Sequence, residues 1–492
     1  MSSIQNAKRD LIVLIQQRTP ERRTTYLPFG LLLIGKSLRQ EGFRTYLIDL
    51  RFETINDLKT VAKDASVLFF GFSMMTGPII KETINISKIL KAIRPEIPIV
   101  VGGPHPTILP EQTLSNPLID IVCIGEGENT SVEIAKSLQT QTSLEKICGI
   151  GFKKNNIPKL TNNRNNIYDF KNYASYDLST IPIDRYTFLN KGKKSVHIIT
   201  SRGCPFRCTF CWNVIYCKRK YRSWNVEKIK QEIQPLINSG VKRIIFWESF
   251  LGSKKRIIEI AQLMKQLNLS WAIEDGFHVK AHNSEKIFSA LSMSNCDSVA
   301  FGAESGNQDI LNFLKKDITI ENITDAAKNT KKYNLGARFQ WIMGLPTQNR
   351  NKAIETLDLI NEINSINPLS AHTIEMFVPY PGSEIYDYVI SSGWNPPTKL
   401  EDWSFFRSQM NNINKKDHWF YKTITYSNFY ANYKKISNLV AGTKLDLLRK
   451  MIITLIGFIS KWRWKKKFFY IPIEYILLDS LIKIYIKLKR SK

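Results

Sequence analysis

Three cysteines stand close together in SRGCPFRCTFCWN, at positions 204, 208 and 211. Thiolates at that spacing can hold three irons of a cubane iron–sulfur cluster from one short loop. Such clusters ordinarily take four cysteines, so a missing fourth leaves one iron open to a substrate or cofactor. Gly203 and Pro205 shape the turn, and Phe210 can shield the cluster. Two other readings stay open at this point. Zinc needs four ligands, and Cys217, six residues after Cys211, is available as the fourth. The three thiols could also be unrelated. The run lacks a second cysteine pair of zinc-ribbon type. Cys123, Cys148 and Cys296 lie in apolar or irregular contexts and are expected to be buried structural thiols.

The loop directly follows a strand, VHIIT (196–200), which opens a series of strand–helix units. Further strands are predicted at RIIFW (243–247), SWAIE (270–274), SVAFGAE (298–304), ARFQWIMG (337–344) and HTIEMFVP (372–379). Six units over about 190 residues suggest a partial barrel, since a full eightfold barrel takes roughly 250. The first 130 residues carry an earlier α/β series. LIVLI (11–15), TYLIDL (45–50), VLFFGFS (67–73), IPIVVGG (97–103) and IDIVCIG (119–125) are continuous apolar runs, as a parallel sheet buried on both faces requires. LLLIGKSLRQEG and IKETINISKILKAI between them repeat at helical spacing. A doubly wound domain follows, with ligand expected at the carboxyl edge of its sheet. GIGFKKNNIPKL resembles a hairpin and opens a polar, aromatic-dotted stretch that reads as a crossing linker.

The chain has 492 residues, too many for one ordinary domain, and its 43% apolar content excludes a disordered or collagen-like protein. Seven cysteines in this length do not make a secreted disulfide framework, and the N-terminal apolar run of five residues is too short for a signal peptide. A reducing, cytoplasmic setting is expected. The net charge of +27 is uneven: residues 421–492 hold 16 Lys or Arg against 3 Asp or Glu. MIITLIGFIS (451–460) falls short of the roughly 20 apolar residues that span a bilayer. KWRWKKKFF and IKIYIKLKR mix cations with aromatic and aliphatic residues. That composition suits peripheral contact with an anionic membrane or a basic helical cap on the barrel, with nucleic acid a weaker third.

The CxxxCxxC loop, with an aromatic residue before its last cysteine, resembles the signature of radical S-adenosylmethionine (SAM) enzymes. YRSWNVEKIKQEI, FGAESGNQDIL (301–311), MGLPT (343–347) and PYPGSEIY (379–386) look like later landmarks of that family. The resemblance implies a [4Fe–4S] cluster on Cys204, Cys208 and Cys211, whose open iron is chelated by SAM, and reductive cleavage to a 5′-deoxyadenosyl radical. It further implies SAM contacts from Phe210, Glu248, Glu304 and Ser305 at the barrel mouth, the alternative for each carboxylate being a pair with a neighbouring Lys or Arg. Two features depart from the pattern. Trp247 stands where many relatives are acidic, and MGLPTQN lacks the Gly-Glu that often follows.

FGFSMMTGP (70–78), VVGGPHPTILPEQTL (100–114) and DIVCIGEGE (120–128), with LPFGLLLIGKSLRQEGF (27–43), resemble the cobalamin-binding domain that precedes the radical domain in one large subclass. The resemblance places cobalamin near Ser73, Thr76, Gly77, Gly102, Gly103, His105, Gly125 and Glu126, with Thr107 a further hydroxyl. The cobalt-ligating Asp-x-His-x-x-Gly of other cobalamin domains is missing: Asp49 is followed by Leu50 and Arg51. No histidine ligand to cobalt is therefore expected. His105, the only histidine of the domain, is expected to hydrogen-bond backbone or a corrin side chain. Neither GxGxxG after the first strand nor a P-loop supports a nucleotide-binding alternative.

The expected organisation is a cobalamin-binding Rossmann-like domain over 1–148, a linker over 149–193, a partial (β/α)6 radical SAM barrel over 194–394 and a basic helical region over 395–492. The implied activity is methyl transfer to an unactivated carbon of a small-molecule or lipid substrate, with flavodoxin or ferredoxin as reductant. A non-methylating radical rearrangement or cyclisation is the alternative with the same cofactors. A zinc-stabilised RNA- or membrane-binding protein is the alternative of another class.

Overall fold

The computed structural model describes residues 9–18, 26–164, 170, 175–405, 457–460, 462, 463, 466 and 468. The basic tail read above lies almost wholly outside these residues. The chain packs as two compact units. One comprises Met1–Gly276, Ser289–Asp297 and Pro379–Gln409; the other contains Phe277–Phe288 and Ser298–Val378.

The first unit opens with β1 (Leu11–Gln16), α1 (Phe29–Gln40), β2 (Arg44–Asp49), α2 (Ile55–Ala62), β3 (Val67–Ser73), α3 (Ile79–Ile93), β4 (Ile99–Gly102), α4 (Pro104–Ile108), α5 (Pro110–Ser115), β5 (Ile121–Cys123) and α6 (Gly127–Thr140). The strands lie in the order β2-β1-β3-β4-β5, all parallel. The chain reverses its direction of travel across the sheet between β1 and β3, which opens a crevice at the carboxyl ends of those strands. Ile12, Val13, Ile15, Phe70 and Ile99 are fully buried, as continuous apolar strands demand when helices cover both faces. β2 departs from the expected continuous burial. It is the edge strand, and its first four residues alternate between exposed and half-buried.

The GIGFKKNNIPKL hairpin forms as β6 (Ile150–Lys154) and β7 (Ile157–Leu160), turning through Asn155 and Asn156 at positive φ. It is stitched antiparallel to β5 and so extends the first sheet. Ile150 and Phe152 explain this, since both bury into the core under α1 and α6.

The same unit continues with β8 (Phe188–Asn190), β9 (Lys193–Ile198), β10 (Ser201–Arg202), α7 (Asn213–Tyr216), β11 (Arg222–Ser223), α8 (Val226–Asn238), β12 (Arg243–Trp247), α9 (Lys254–Gln266) and β13 (Ser270–Phe277). β9, β12 and β13 pair in parallel, and β8 folds back on β9. Asn225 and Ser253 cap α8 and α9 by accepting from the backbone N–H three residues on. In the second unit β14 (Cys296–Glu304), β15 (Gly336–Met343) and β16 (Ser370–Met376) pair in parallel. They alternate with α10 (Gln308–Phe313), α11 (Ile320–Lys332) and α12 (Arg350–Ile366). Among the described residues, no helix is long and apolar enough to cross a membrane.

Phe70 is fully buried mid-sheet, whereas Tyr46 on the edge strand is 42% exposed. Phe70→Ala should destabilise the protein by about 3–5 kcal/mol and Tyr46→Ala by less than about 1 kcal/mol. Denaturant midpoints measure both; equal losses would contradict the edge position of β2.

Candidate functional site

The cysteine loop leaves β9 through Thr200 and Ser201, and one carboxylate fixes that exit. Glu248, just after β12, is 2% exposed. Its Oε1 accepts from the Thr200 N–H at 2.6 Å and the Thr200 hydroxyl at 2.7 Å. Its Oε2 accepts from the Ser201 N–H at 2.9 Å and from the Ser201 hydroxyl. Arg256 on α9 donates to Thr200 Oγ1 at 2.7 Å and to the Leu251 carbonyl at 3.0 Å. Burial raises the Glu248 pKa, against the pull of Arg256 and the donors. The sequence reading put this carboxylate at the barrel mouth; in the structure both its oxygens are engaged by the loop's root.

β10 and β11 then pair antiparallel, Ser201 opposite Ser223 and Arg202 opposite Arg222, closing a neck around residues 203–221. Gly203 has φ +83°, and a Cβ there would stand 2.1 Å from the Lys220 carbonyl oxygen, so only glycine fits this crossing. Inside the neck, the Cys211 N–H donates to the Cys208 carbonyl at 3.2 Å. Cys204, Cys208, Cys211 and Phe210 are all partly exposed. Cys217 is different. It is buried, and desolvation pushes its thiol up to about 11. Among the described residues, no cluster of three or more His, Cys, Asp and Glu is arranged around a single metal ion. Of the other thiols, Cys123 is buried and pushed up to about 12, and Cys296 is buried. Cys148 corrects the expectation of burial: it is exposed, on the bend before β6 where Ile147 and Ile150 take the inward positions.

In the second unit Glu304 ends β14 at φ +62°, and Lys316 donates to its Oε1 at 2.7 Å. Ser305 is fully buried and accepts from the Asn307 N–H at 3.1 Å. The carboxylate and hydroxyl thus share a strand end, each already with a protein partner.

At the carboxyl edge of the first sheet, a narrow cavity of about 80 Å³ runs between the strands and helices α1 and α6. Gly71, Gly102, Gly103, Gly125 and Gly127 line it together with Ser73, Cys123, Glu128, Ser131, Arg202 and Tyr216. Gly125 has φ +85° and empty space where a Cβ would be. A glycine-floored slot of this kind admits a flat group against backbone. Thr107 secures the slot, donating to the Gly103 carbonyl at 2.7 Å and accepting from the Gly125 N–H at 2.9 Å. Thr76 meets His105 Nδ1 at 3.0 Å, and Gly77 opens the turn before α3. Contrary to a loop residue bonded to backbone, the His105 ring lies in a short helix, 1% exposed, against Thr76 and Trp403, with Nε2 unpartnered. Burial drives its pKa down to about 4.

Sequence reasoning missed the group that closes this cavity. Glu126 receives both guanidinium nitrogens of Arg222 at 2.8 Å, Arg202 stands 3.4 Å away, and Arg202 also pairs with Glu128. Tyr216 donates to the Gly125 carbonyl at 3.2 Å. The GEGE run was legible; its partners, 74 to 96 residues away, were not. A second missed group lies on β9, β12 and β13. His197 Nε2 is 3.1 Å from Glu274, and its ring lies between Tyr26 and Phe188, while Trp247 stacks on Tyr26 at 4.5 Å.

Comparison with known proteins agrees with this layout. Residues 20–135 match the B12 binding domain model and residues 198–360 the Radical SAM superfamily model. An uncharacterized methyltransferase of Pyrococcus horikoshii is 32% identical over 377 residues, covering 75% of this chain and 80% of that protein. The chain belongs to the B12-binding radical SAM enzymes. Cytidylyl-2-hydroxyethylphosphonate methyltransferase of Streptomyces wedmorensis is 23% identical over 427 residues, 76% of this chain and 80% of its own. Among solved structures, the cobalamin-dependent SAM radical enzyme OxsB, with aqua-cobalamin and SAM bound, superposes with a TM-score of 0.73. Its identity is 17%, over 97% of this chain and 75% of OxsB. The radical SAM methyltransferase TsrM from Kitasatospora setae, with tryptophan and a SAM analogue bound, gives 0.65 at 15% identity, over 78% and 76%. These likenesses show the fold, a B12-binding α/β domain followed by a partial radical SAM barrel. The family is that of cobalamin-dependent radical SAM methyltransferases, and its cofactor set is a [4Fe–4S] cluster, SAM and cobalamin.

The His105 ring gives the B12-binding domain a pH dependence of known sign. Folding lowers its pKa from 6.5 to about 4, so the unfolded chain binds the extra proton. Its contribution is complete above pH 6.5 and is lost as pH falls toward 4, a difference of about 3 kcal/mol. His105→Gln should flatten the fall in stability between pH 6.5 and 4, read from urea midpoints of the two proteins. Parallel curves would show that the ring is not neutral and buried.

Proposed function

We propose that this enzyme transfers a methyl group to an unactivated carbon of a small molecule, drawing electrons from a flavodoxin- or ferredoxin-type donor. One observation carries the reading: three partly exposed thiols on a loop whose neck packs on the same buried unit as a glycine-floored cavity at a strand edge.

The residues fit the family's cofactors. Cys204, Cys208 and Cys211 supply three thiolates at the loop's open side, and Phe210 between the last two screens them from water. Glu304 and Ser305 offer a carboxylate and hydroxyl for SAM's ammonium and ribose, Glu304 being steered by Lys316. Glu248 acts one step back, by holding the loop's root. Ser73, Gly102, Gly103 and Gly125 line the slot for cobalamin's nucleotide arm, and Thr76 and Gly77 follow in the turn after β3. His105 stays neutral beneath the turn, its ring fixed by Thr76 and Trp403. Glu126 closes the wall through its arginines. Together the bound groups would supply a 5′-deoxyadenosyl radical to remove a hydrogen atom and a methyl group to replace it. No side-chain base is required; the protein's work is placement and exclusion of water. Tyr26, His197, Trp247 and Glu274 present an aromatic wall with a polar end, suited to a planar substrate bearing a donor group.

Anaerobic reconstitution with iron, sulfide and hydroxocobalamin tests the reading. About four irons and one corrin per chain are expected, with S-adenosylhomocysteine beside 5′-deoxyadenosine among the products. Cys208→Ala should lose the brown charge-transfer absorption. Tetrahedral zinc without corrin uptake would overturn the assignment, and deoxyadenosine without S-adenosylhomocysteine would favour a radical rearrangement.

The excess of Lys and Arg over residues 421–492, interleaved with Trp and Phe, supports peripheral contact with anionic lipid and, with it, a lipid-like substrate. Truncation after Thr443 should then release the protein from phosphatidylserine vesicles, in a flotation assay at physiological salt. Equal flotation of the truncated and full chains would favour a helical cap instead.

A further inference from the structure

Arg202 and Arg222 stand directly opposite one another in the two-residue ladder that forms the neck of the cysteine loop. Like charges in facing positions repel and open such a pair. Here the repulsion is cancelled from outside the ladder. Glu126 takes both nitrogens of Arg222 at 2.8 Å and lies 3.4 Å from Arg202, and Glu128 pairs with Arg202. Both carboxylates come from the B12-binding domain, flanking Gly127 at the start of α6. All four side chains are at least four-fifths buried.

Glu128 has a second feature. It lines the glycine-floored cavity, and its Oε2 is buried with no hydrogen-bond partner. A buried carboxylate oxygen without a donor is unfavourable, so a cavity ligand that offers an N–H or O–H gains by meeting it. Arg202 lines the same cavity from the other side and leads, two residues on, to Cys204.

We propose that Glu126 and Glu128 are positioning residues that couple the two cofactor sites: a corrin amide or ribose hydroxyl donating to Glu128 Oε2 firms its pair with Arg202, closes the neck and protects the cluster. The inference rests on cobalamin and cluster binding as proposed above. Linkage makes it reciprocal, because whatever one occupant contributes to the neck, the other receives.

The probe is loss of iron to bathophenanthroline from the reconstituted cluster, with and without hydroxocobalamin, on the full chain. Corrin should slow iron loss in the wild type at least fivefold, and the cluster should in turn tighten hydroxocobalamin binding, read by absorbance. Glu128→Gln should bring both ratios toward one. Glu126→Gln should speed iron loss even without corrin, since the facing arginines lose their shared counter-charge. Wild-type protein that takes up neither cofactor would defeat the parent reading. Wild-type protein that binds both with ratios of one, or a Glu128→Gln protein with unchanged ratios, would defeat the coupling alone. Should either variant fail to fold, the wild-type ratios decide.

Discussion

A loop that is to offer three thiols to the proposed cluster has to leave its strand in a single direction. The constraint is met by a buried carboxylate. Glu248 gathers two backbone N–H groups and two hydroxyls from Thr200 and Ser201. Those N–H groups lie just beyond the end of β9, and the carboxylate accepts from both, as buried backbone donors require. Arg256 balances the charge from the helix side. The arrangement is costly in isolation, as the raised pKa of Glu248 records, and it holds only because every oxygen is met. Removing one partner of such a set leaves an uncompensated charge, a loss of about 3–5 kcal/mol.

From that root the rest of the first unit follows by strand geometry. Parallel strands deliver their carboxyl ends to one edge, and the chain that leaves each end is free to serve a ligand instead of a ladder. In the first sheet β4 and β5 leave through Gly103 and Gly125, and both glycines line the cavity between the strands and helices α1 and α6. In the second set of strands the departing turn is the cysteine loop. Gly203 is required there because the crossing with Lys220 leaves no room for a side chain.

The sequence made some of this legible and concealed the rest for a physical reason. Spacing within a loop is local, so Cys204, Cys208 and Cys211 could be read directly, and apolar runs located the long parallel strands to within a few residues, whereas the short β8, β10 and β11 carry no such run. What escaped was set by distance along the chain. Glu248 reads as a rim carboxylate until Thr200, 48 residues earlier, is seen beside it. Glu126 reads as part of a glycine-rich ligand loop until Arg222, 96 residues later, takes both its oxygens. The apolar neighbours of Cys148 suggest burial, but on this bend Ile147 and Ile150 face inward and the thiol faces out. The edge position of β2 was likewise invisible, since TYLIDL is apolar enough for a central strand.

These long-range carboxylates have one property in common: each neutralises a group that the local fold would otherwise leave exposed to repulsion or desolvation. Glu248 answers orphaned donors, and Glu126 answers two facing arginines. A simple apolar contact could fill the same volume, often with equal stability. It could not respond to an occupant. An ion pair with an unsatisfied oxygen can, because a single added donor changes its strength, whereas a packed methyl group is indifferent to what enters the next cavity. For an enzyme that must hold a cluster and a corrin in register, polar closure of the loop's neck is therefore the more informative choice, and its burial keeps the signal from being screened by water.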